Sequence, residues 1–232
     1  MNIFISNDDG YRSDRIKMLR KILDDYGITY LSAPKSEHSG ASCSLSLPPQ
    51  NKISILDSRT IFVDGTPADS AIYGLNYFKD VKFDLFVSGI NYGYNVSSDI
   101  QYSATAGAAF EGEFQGILSI AFSEGMNGCH EVTDKYLKEI MAELIDKPYI
   151  TGQICNVNFP QCKADECKGI LRDRKVSRKS FYTDRYKAVE EFSNGGVSLM
   201  VDGIFSPTSE EGTDIGAVLE DYISIGVVRN IS

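Results

Sequence analysis

The chain has 232 residues and carries 32 acidic against 23 basic side chains, a formal net charge of -9. That length accommodates one domain with a sizeable core, and the acidic balance disfavours nucleic-acid polymers as partners. No stretch reaches the length of a membrane span, and no basic region followed by an apolar segment opens the sequence, so a cytoplasmic protein is the expectation.

In chain order, apolar β-rich runs alternate with helical patterns, which predicts an α/β fold on a parallel sheet. Ile3, Phe4, Ile5 and Ser6 read as a buried strand that runs into Asn7, Asp8, Asp9 and Gly10. Ile16, Leu19, Ile22 and Leu23 recur at helical spacing, and Gly27 stands where that helix would stop. Residues 28–32 make a second strand, and residues 33–50 form a Ser-, Gly- and Pro-rich loop long enough to suggest a task of its own. Residues 52–56 and 60–63 read as a hairpin turning at Asp57 and Ser58. Thr66 is placed to cap a helix that starts at Pro67 and reaches about Phe78.

Residues 84–88 form a further buried strand, followed by a loop, 89–95, that holds Asn91 and two tyrosines. A helix over 104–115 is rich in Ala and Gly and suited to close packing. Residues 117–122 read as a strand, 133–145 as an amphipathic helix, and Ile154, Val157 and Phe159 as another strand. From 168 to 201 the chain is charged and has few helical signals. Arg172, Arg174, Lys175, Arg178, Lys179 and Arg185 make a basic stretch there, which charge patterning favours as a solvated hairpin face or oligomer contact over a phosphate-reading arm. Residues 222–228 close the chain as a strand.

Five cysteines, Cys43, Cys129, Cys155, Cys162 and Cys167, are odd in number and scattered, with only His38 and His130 to complete a soft-ligand site. Reduced thiols are therefore expected rather than zinc or disulfides. Asp8 and Asp9 fall where the chain leaves its first strand, at the edge where open α/β sheets place ligands. The tetrapeptide also makes an ordinary turn, but two adjacent carboxylates repel, and a divalent cation with hard oxygen ligands relieves that repulsion. Ser39 and Asn91 are suitable neutral oxygen donors near the same edge. Ser103, Ala104 and Thr105 open a helix, where unpaired N–H groups welcome a phosphate.

Together NDDG, APKSEHSGAS, DGTPADS from Asp64, VSGINYGYN from Val87, YSATAGAAFEG from Tyr102 and TDIGAVLEDYISI resemble the SurE family of metal-dependent 5′-nucleotidases, in order and spacing over residues 2 to 225. The resemblance implies a Rossmann-like three-layer α/β core over 1–160, a β-rich arm over about 168–201 and a returning segment at 213–228. It implies a phosphatase acting on nucleoside 5′-monophosphates, with 3′-monophosphates and short polyphosphate as further substrates, and a homodimer or homotetramer. One divalent ion per subunit, magnesium or manganese with calcium as a stand-in, would be held by Asp8, Asp9, Ser39 and Asn91. Asn95, Ser103 and Thr105 match the phosphate surroundings, and Gly40 and Thr66 the site-lining loops. Two departures stand out: Ala104 where the family usually has glycine, and Arg15 where another glycine is usual. The second is expected to alter the first helical turn or to bring a cation near the site.

The chemistry expected is metal-assisted hydrolysis, with Asp8 and Asp9 as catalytic residues, one of them orienting or deprotonating water. An aspartyl-phosphate route through Asp8 competes, but the pattern for that chemistry needs a second Asp where Gly10 stands. A dinucleotide oxidoreductase would require a GxGxxG that is missing after the first strand. A non-catalytic nucleotide- or metal-binding protein of the same fold is the remaining alternative.

Overall fold

The computed structural model describes residues 1–47, 52–180, 182–183, 186–205 and 208–229. Arg185 of the basic stretch and residues 48–50 of the long loop lie outside the described residues. The first half comprises β1 (Asn2–Ser6), α1 (Asp14–Leu23), β2 (Ile28–Pro34), β3 (Ile53–Asp57), β4 (Thr60–Val63), α2 (Pro67–Tyr77) and β5 (Leu85–Tyr92). A single 3₁₀ turn (Ser97–Gln101) leads to α3 (Ala104–Phe114), β6 (Leu118–Glu124), α4 (Glu131–Leu144) and β7 (Gln153–Phe159). The rest is β8 (Ile170–Arg174), β9 (Tyr182–Thr183), β10 (Tyr186–Glu191), β11 (Val197–Val201), β12 (Ile204–Phe205), α5 (Asp214–Leu219) and β13 (Ile223–Arg229).

Nine strands form the central sheet in the order β3-β4-β2-β1-β5-β6-β7-β13-β8. It is parallel except where β3 meets β4 and β13 meets β7. Strands covered on both faces must be apolar throughout, and β1 shows how each face is used. Ile3 and Ile5 join Ile16, Leu19 and Leu23 of α1 and Leu137, Ile140 and Met141 of α4 in one core. Phe4, on the opposite pleat, joins Ala71 of α2, Ala108 of α3 and Phe86 in the other, its ring stacked 4.9 Å from that of Phe86. Four of the helices start at side chains that take up a first-turn N–H group. Thr66 and Asp69 form a reciprocal capping box on α2, Ser13 caps α1 and Thr213 caps α5.

Several boundaries differ from the sequence expectation, and the differences bear on the site. The strand expected to end at Ser88 continues to Tyr92, so Asn91 lies in a strand rather than a loop. Gly89, at φ +131°, and a register shift between Ser88 and Asn91 on β6 allow this continuation. A Cβ at Gly89 would stand 2.4 Å from the Phe122 carbonyl oxygen, a close approach only glycine permits. Likewise β6 runs two residues beyond the expected Phe122, to the buried Glu124. The segment expected as an arm divides: β8 joins the central sheet beside β13, whereas β10 and β11 pair as a separate hairpin. Arg172 of the basic stretch donates to Glu143 through Nε and Nη2, so it serves α4 packing.

Candidate active site

From β1 the chain builds outward through β2 and β4, then returns to the other side of β1 to lay down β5, β6 and β7. The carboxyl ends of β1 and β5 thus border a topological switch point, the place where such sheets open a ligand crevice. Asp8 and Asp9 leave β1 there, and Asn91 and Tyr92 end β5. With Glu37, Ser39, Gly40, Asn95 and Ser103 they line a cleft of about 1000 Å³.

Asp8 is 2% exposed, and its Oδ1 accepts the Thr105 hydroxyl at 2.7 Å. Burial pushes its pKa up, while the Thr105 hydroxyl and N–H at the start of α3 pull the other way. Thr105 itself is fully buried and reaches the cleft only through Asp8. Asp9 is half-buried; burial first, then the charges of Asp8, Glu37 and Glu124, raise its pKa to about 7. Its Oδ2 is buried without a hydrogen-bond partner among the described residues.

The neutral donors line the same cleft as this pair. Asn91 is 8% exposed and commits its Nδ2 to the Gly93 carbonyl at 2.8 Å, which leaves its Oδ1 as the available end. Ser39 is exposed, its hydroxyl donating to Glu37 Oε1 at 2.9 Å, with Gly40 beside it on the cleft wall. The long loop is pressed onto α3 at Gly107, where a Cβ would meet the Ser42 carbonyl oxygen at 2.4 Å. Asn95 is held from every side. Its N–H donates to Asn158 Oδ1 at 2.8 Å, its Nδ2 to the Ser123 hydroxyl at 2.8 Å, and Asn156 Nδ2 donates to its carbonyl at 2.8 Å. One amide N–H of Asn95 remains for a ligand. Ser103 caps α3 by accepting the Ala106 N–H at 3.0 Å. Thr66 does not line the cleft; its hydroxyl donates to the Ser44 carbonyl at 2.7 Å and accepts the Asp69 N–H at 3.1 Å.

Sequence reading passed over Glu37 and Glu124, which carry charge toward Asp9. Each is a single acidic residue without a spacing pattern, and only the strand extension brings Glu124 to this edge. Arg15 explains how Glu124 is tolerated at 1% exposure. Arg15 Nε lies 2.7 Å from Glu124 Oε1, its Nη2 donates to Oε2 at 2.7 Å, and Thr133 and His130 approach the same carboxylate. The first turn of α1 is intact, because Ser13 accepts the Arg15 N–H. Arg15 therefore compensates a buried carboxylate beside the site.

The donor set suits a hard cation: two carboxylates, one with a buried oxygen left unpartnered, plus hydroxyl and amide oxygens. No three His, Cys, Asp or Glu side chains gather as a metal cluster among the described residues, so a cation held here would draw on Ser and Asn oxygens beside the Asp pair.

A mostly parallel three-layer α/β fold, with a carboxylate-lined cleft at its switch point and a separate β-hairpin, defines the class. The family profile described as "Survival protein SurE" matches residues 3–181. The 5′-nucleotidase SurE of Mannheimia succiniciproducens is 34% identical over 231 residues, covering 99% of this chain and 92% of that protein. The 5′/3′-nucleotidase SurE of Wigglesworthia glossinidia brevipalpis is 33% identical over 226 residues, covering 97% and 90%. The crystal structure of the SurE protein from Aquifex aeolicus superposes with a TM-score of 0.85 at 33% identity, covering 100% of this chain and 95% of that one. The chain belongs to the SurE family.

Proposed function

We propose that this protein is a phosphomonoester hydrolase acting on nucleoside monophosphates, and that it works with one divalent cation, magnesium or manganese. The observation that carries the reading is the Asp8–Asp9 pair at the switch point, with Asp9 Oδ2 buried and unpartnered. The names of the relatives, 5′-nucleotidase and 5′/3′-nucleotidase, supply the substrate class and favour an enzyme over a silent binding protein.

In this reading Asp8, Asp9, Ser39 and Asn91 hold the cation. When bound, it supplies positive charge against the phosphoryl oxygens and acidifies water. The remaining work falls to the chain. Asp8, fixed by Thr105, holds one side of the site, and one carboxylate of the pair orients water or takes its proton. The spare N–H of Asn95 and the Ala104 N–H, left over at the start of α3 after Ser103 has capped Ala106 and the Thr105 N–H has turned to Asp8, would serve the negative charge that builds on the phosphoryl oxygens. Burial of Asp8 and its bond to Thr105 favour a holding role over nucleophilic attack. Five free cysteines support a reducing, cytoplasmic setting, and no helix of the described residues is long and apolar enough to cross a membrane. Leu199, Met200 and Val201 of β11, exposed by 59%, 51% and 63%, support a homodimer or homotetramer that covers the hairpin.

The test is phosphate release from a panel of nucleoside 5′- and 3′-monophosphates with magnesium or manganese, then with excess chelator. Release that is lost on chelation and restored by the metal is the expected result. Failure to release phosphate from any member of the panel refutes the reading.

A further inference from the structure

The two tyrosines that follow Asn91 have different fates. Tyr94 packs against a core cluster of Val96, Ile215 and Val218, and its hydroxyl accepts the Gln161 N–H at 2.7 Å. Tyr92 belongs to no hydrophobic core cluster of the described residues and is 43% exposed on the cleft wall. Its hydroxyl donates to the Met126 carbonyl, and its ring lies 6.4 Å from that of His130 at 55°. Met126, 57% exposed, lines the same cleft. A ring pinned through its hydroxyl offers a fixed apolar face, and a ligand that covers it loses little further side-chain freedom. The thioether beside it is a soft, polarisable neighbour that adapts to flat ligands.

We propose that Tyr92, flanked by Met126, is the stacking platform for the substrate's nucleobase. This rests on the reading of the substrate as a nucleoside monophosphate and assigns the end of the cleft that receives the base. Asn91 and Tyr92 line the same cleft, Asn91 at the proposed phosphate end and Tyr92 on the aromatic wall. A nucleotide has the same order, with one sugar between phosphate and base. The platform recognises a π-face rather than a hydrogen-bonding edge, so it selects base-bearing phosphomonoesters over sugar phosphates.

The experiment is calorimetric titration with adenosine 5′-monophosphate and with ribose 5-phosphate, with calcium as the stand-in cation so that the phosphate end keeps its positive charge while turnover is suppressed. The unsubstituted protein is expected to bind the nucleotide about tenfold more tightly than the sugar phosphate, the low end of base–aromatic stacking. Tyr92→Phe should keep most of that ratio because the ring remains, and Tyr92→Leu should bring it near one. The proposal is overturned if the unsubstituted protein does not discriminate, if Tyr92→Leu keeps the tenfold ratio, or if Tyr92→Phe loses it as fully as Tyr92→Leu. It is also overturned if Tyr102→Leu, on the exposed tyrosine beside Ser103, abolishes the ratio while Tyr92→Leu does not. Discrimination that follows Tyr92 in a protein without phosphatase activity upholds the platform and refutes the proposed reaction. Metal-dependent phosphate release without discrimination does the reverse.

Discussion

Replacing Asp9 by asparagine should stabilise the metal-free protein while removing its activity. In the folded chain, burial and the charges of Asp8, Glu37 and Glu124 lift the Asp9 pKa from 3.8 to about 7. Between those values the native carboxyl keeps a proton that the unfolded chain has released, so stability falls as pH rises across this window. The cost is absent below about pH 4 and complete above about pH 7. At 1.36 kcal/mol per unit, the full shift sets a ceiling of about 4 kcal/mol. Solvent screening at this half-buried site, together with the burial of an amide that replaces it, reduces the expected gain to about 1–2 kcal/mol. For a chain of this size that is about 2–8 °C in Tm. Thermal unfolding of both proteins in chelator, at pH 8 and at pH 4, reads it directly. Asp9→Asn should melt higher at pH 8 and show little difference at pH 4, and manganese should raise the Tm of the unsubstituted protein only. An equal gain at both pH values, or none at pH 8, refutes the argument that Asp9 is held under electrostatic stress.

Three further substitutions probe the supports of the site. Thr105→Val removes a hydroxyl that favours ionised Asp8, so the acidic limb of the rate–pH profile should move to higher pH; an unmoved limb contradicts the role given to Thr105. Arg15→Ala leaves Glu124 buried with its main cation gone, a loss of about 3 kcal/mol in denaturant unfolding. Adding Glu124→Gln should recover most of that loss, and strictly additive effects would show that the two residues do not act as a pair. Asp214→Asn sets an amide against three N–H donors, those of Ser97, Ser177 and Ile215 at 2.9, 3.0 and 2.8 Å. It should cost about 2–3 kcal/mol, and unchanged stability would show that this junction between the 3₁₀ turn and the hairpin root is not held by Asp214.

Residues whose role follows from local pattern were legible in the sequence. The apolar run Ile3, Phe4 and Ile5 before a turn reads as a buried strand, and Thr66 before Pro67 suits a helix start. Asp8 and Asp9 were visible because a strand end fixes where adjacent carboxylates point. What escaped was set by contacts distant in sequence. Nothing local tells Gly89 from a strand terminator; its part in extending β5 depends on the Phe122 carbonyl of the neighbouring strand. Glu124 came to the site only through that pairing, whereas Arg15, expected either to alter the first turn of α1 or to bring a cation near the site, does the second through a partner 109 residues away. Thr66, which the resemblance places in a site-lining loop, is engaged by the Ser44 carbonyl and the helix cap, bonds that its motif alone does not show.

The acidic residues at this edge are stabilised by unequal means, and the inequality carries the chemistry. Glu124 has a guanidinium in two-point contact, and Asp8 has a hydroxyl and a helix N-terminus. Glu37 is exposed to water. Asp9 faces the cleft with a buried oxygen that has neither a hydrogen bond nor a cation among the described residues. An arginine on Asp9 would relieve the repulsion permanently, but it would also occupy the oxygen that a cation needs. By compensating Glu124 with Arg15 and leaving Asp9 without a partner, the fold gathers the electrostatic cost at the Asp8–Asp9 pair that lines the cleft. There a ligand of opposite charge recovers that cost on binding, and the same repulsion that weakens the metal-free protein becomes affinity for the cation.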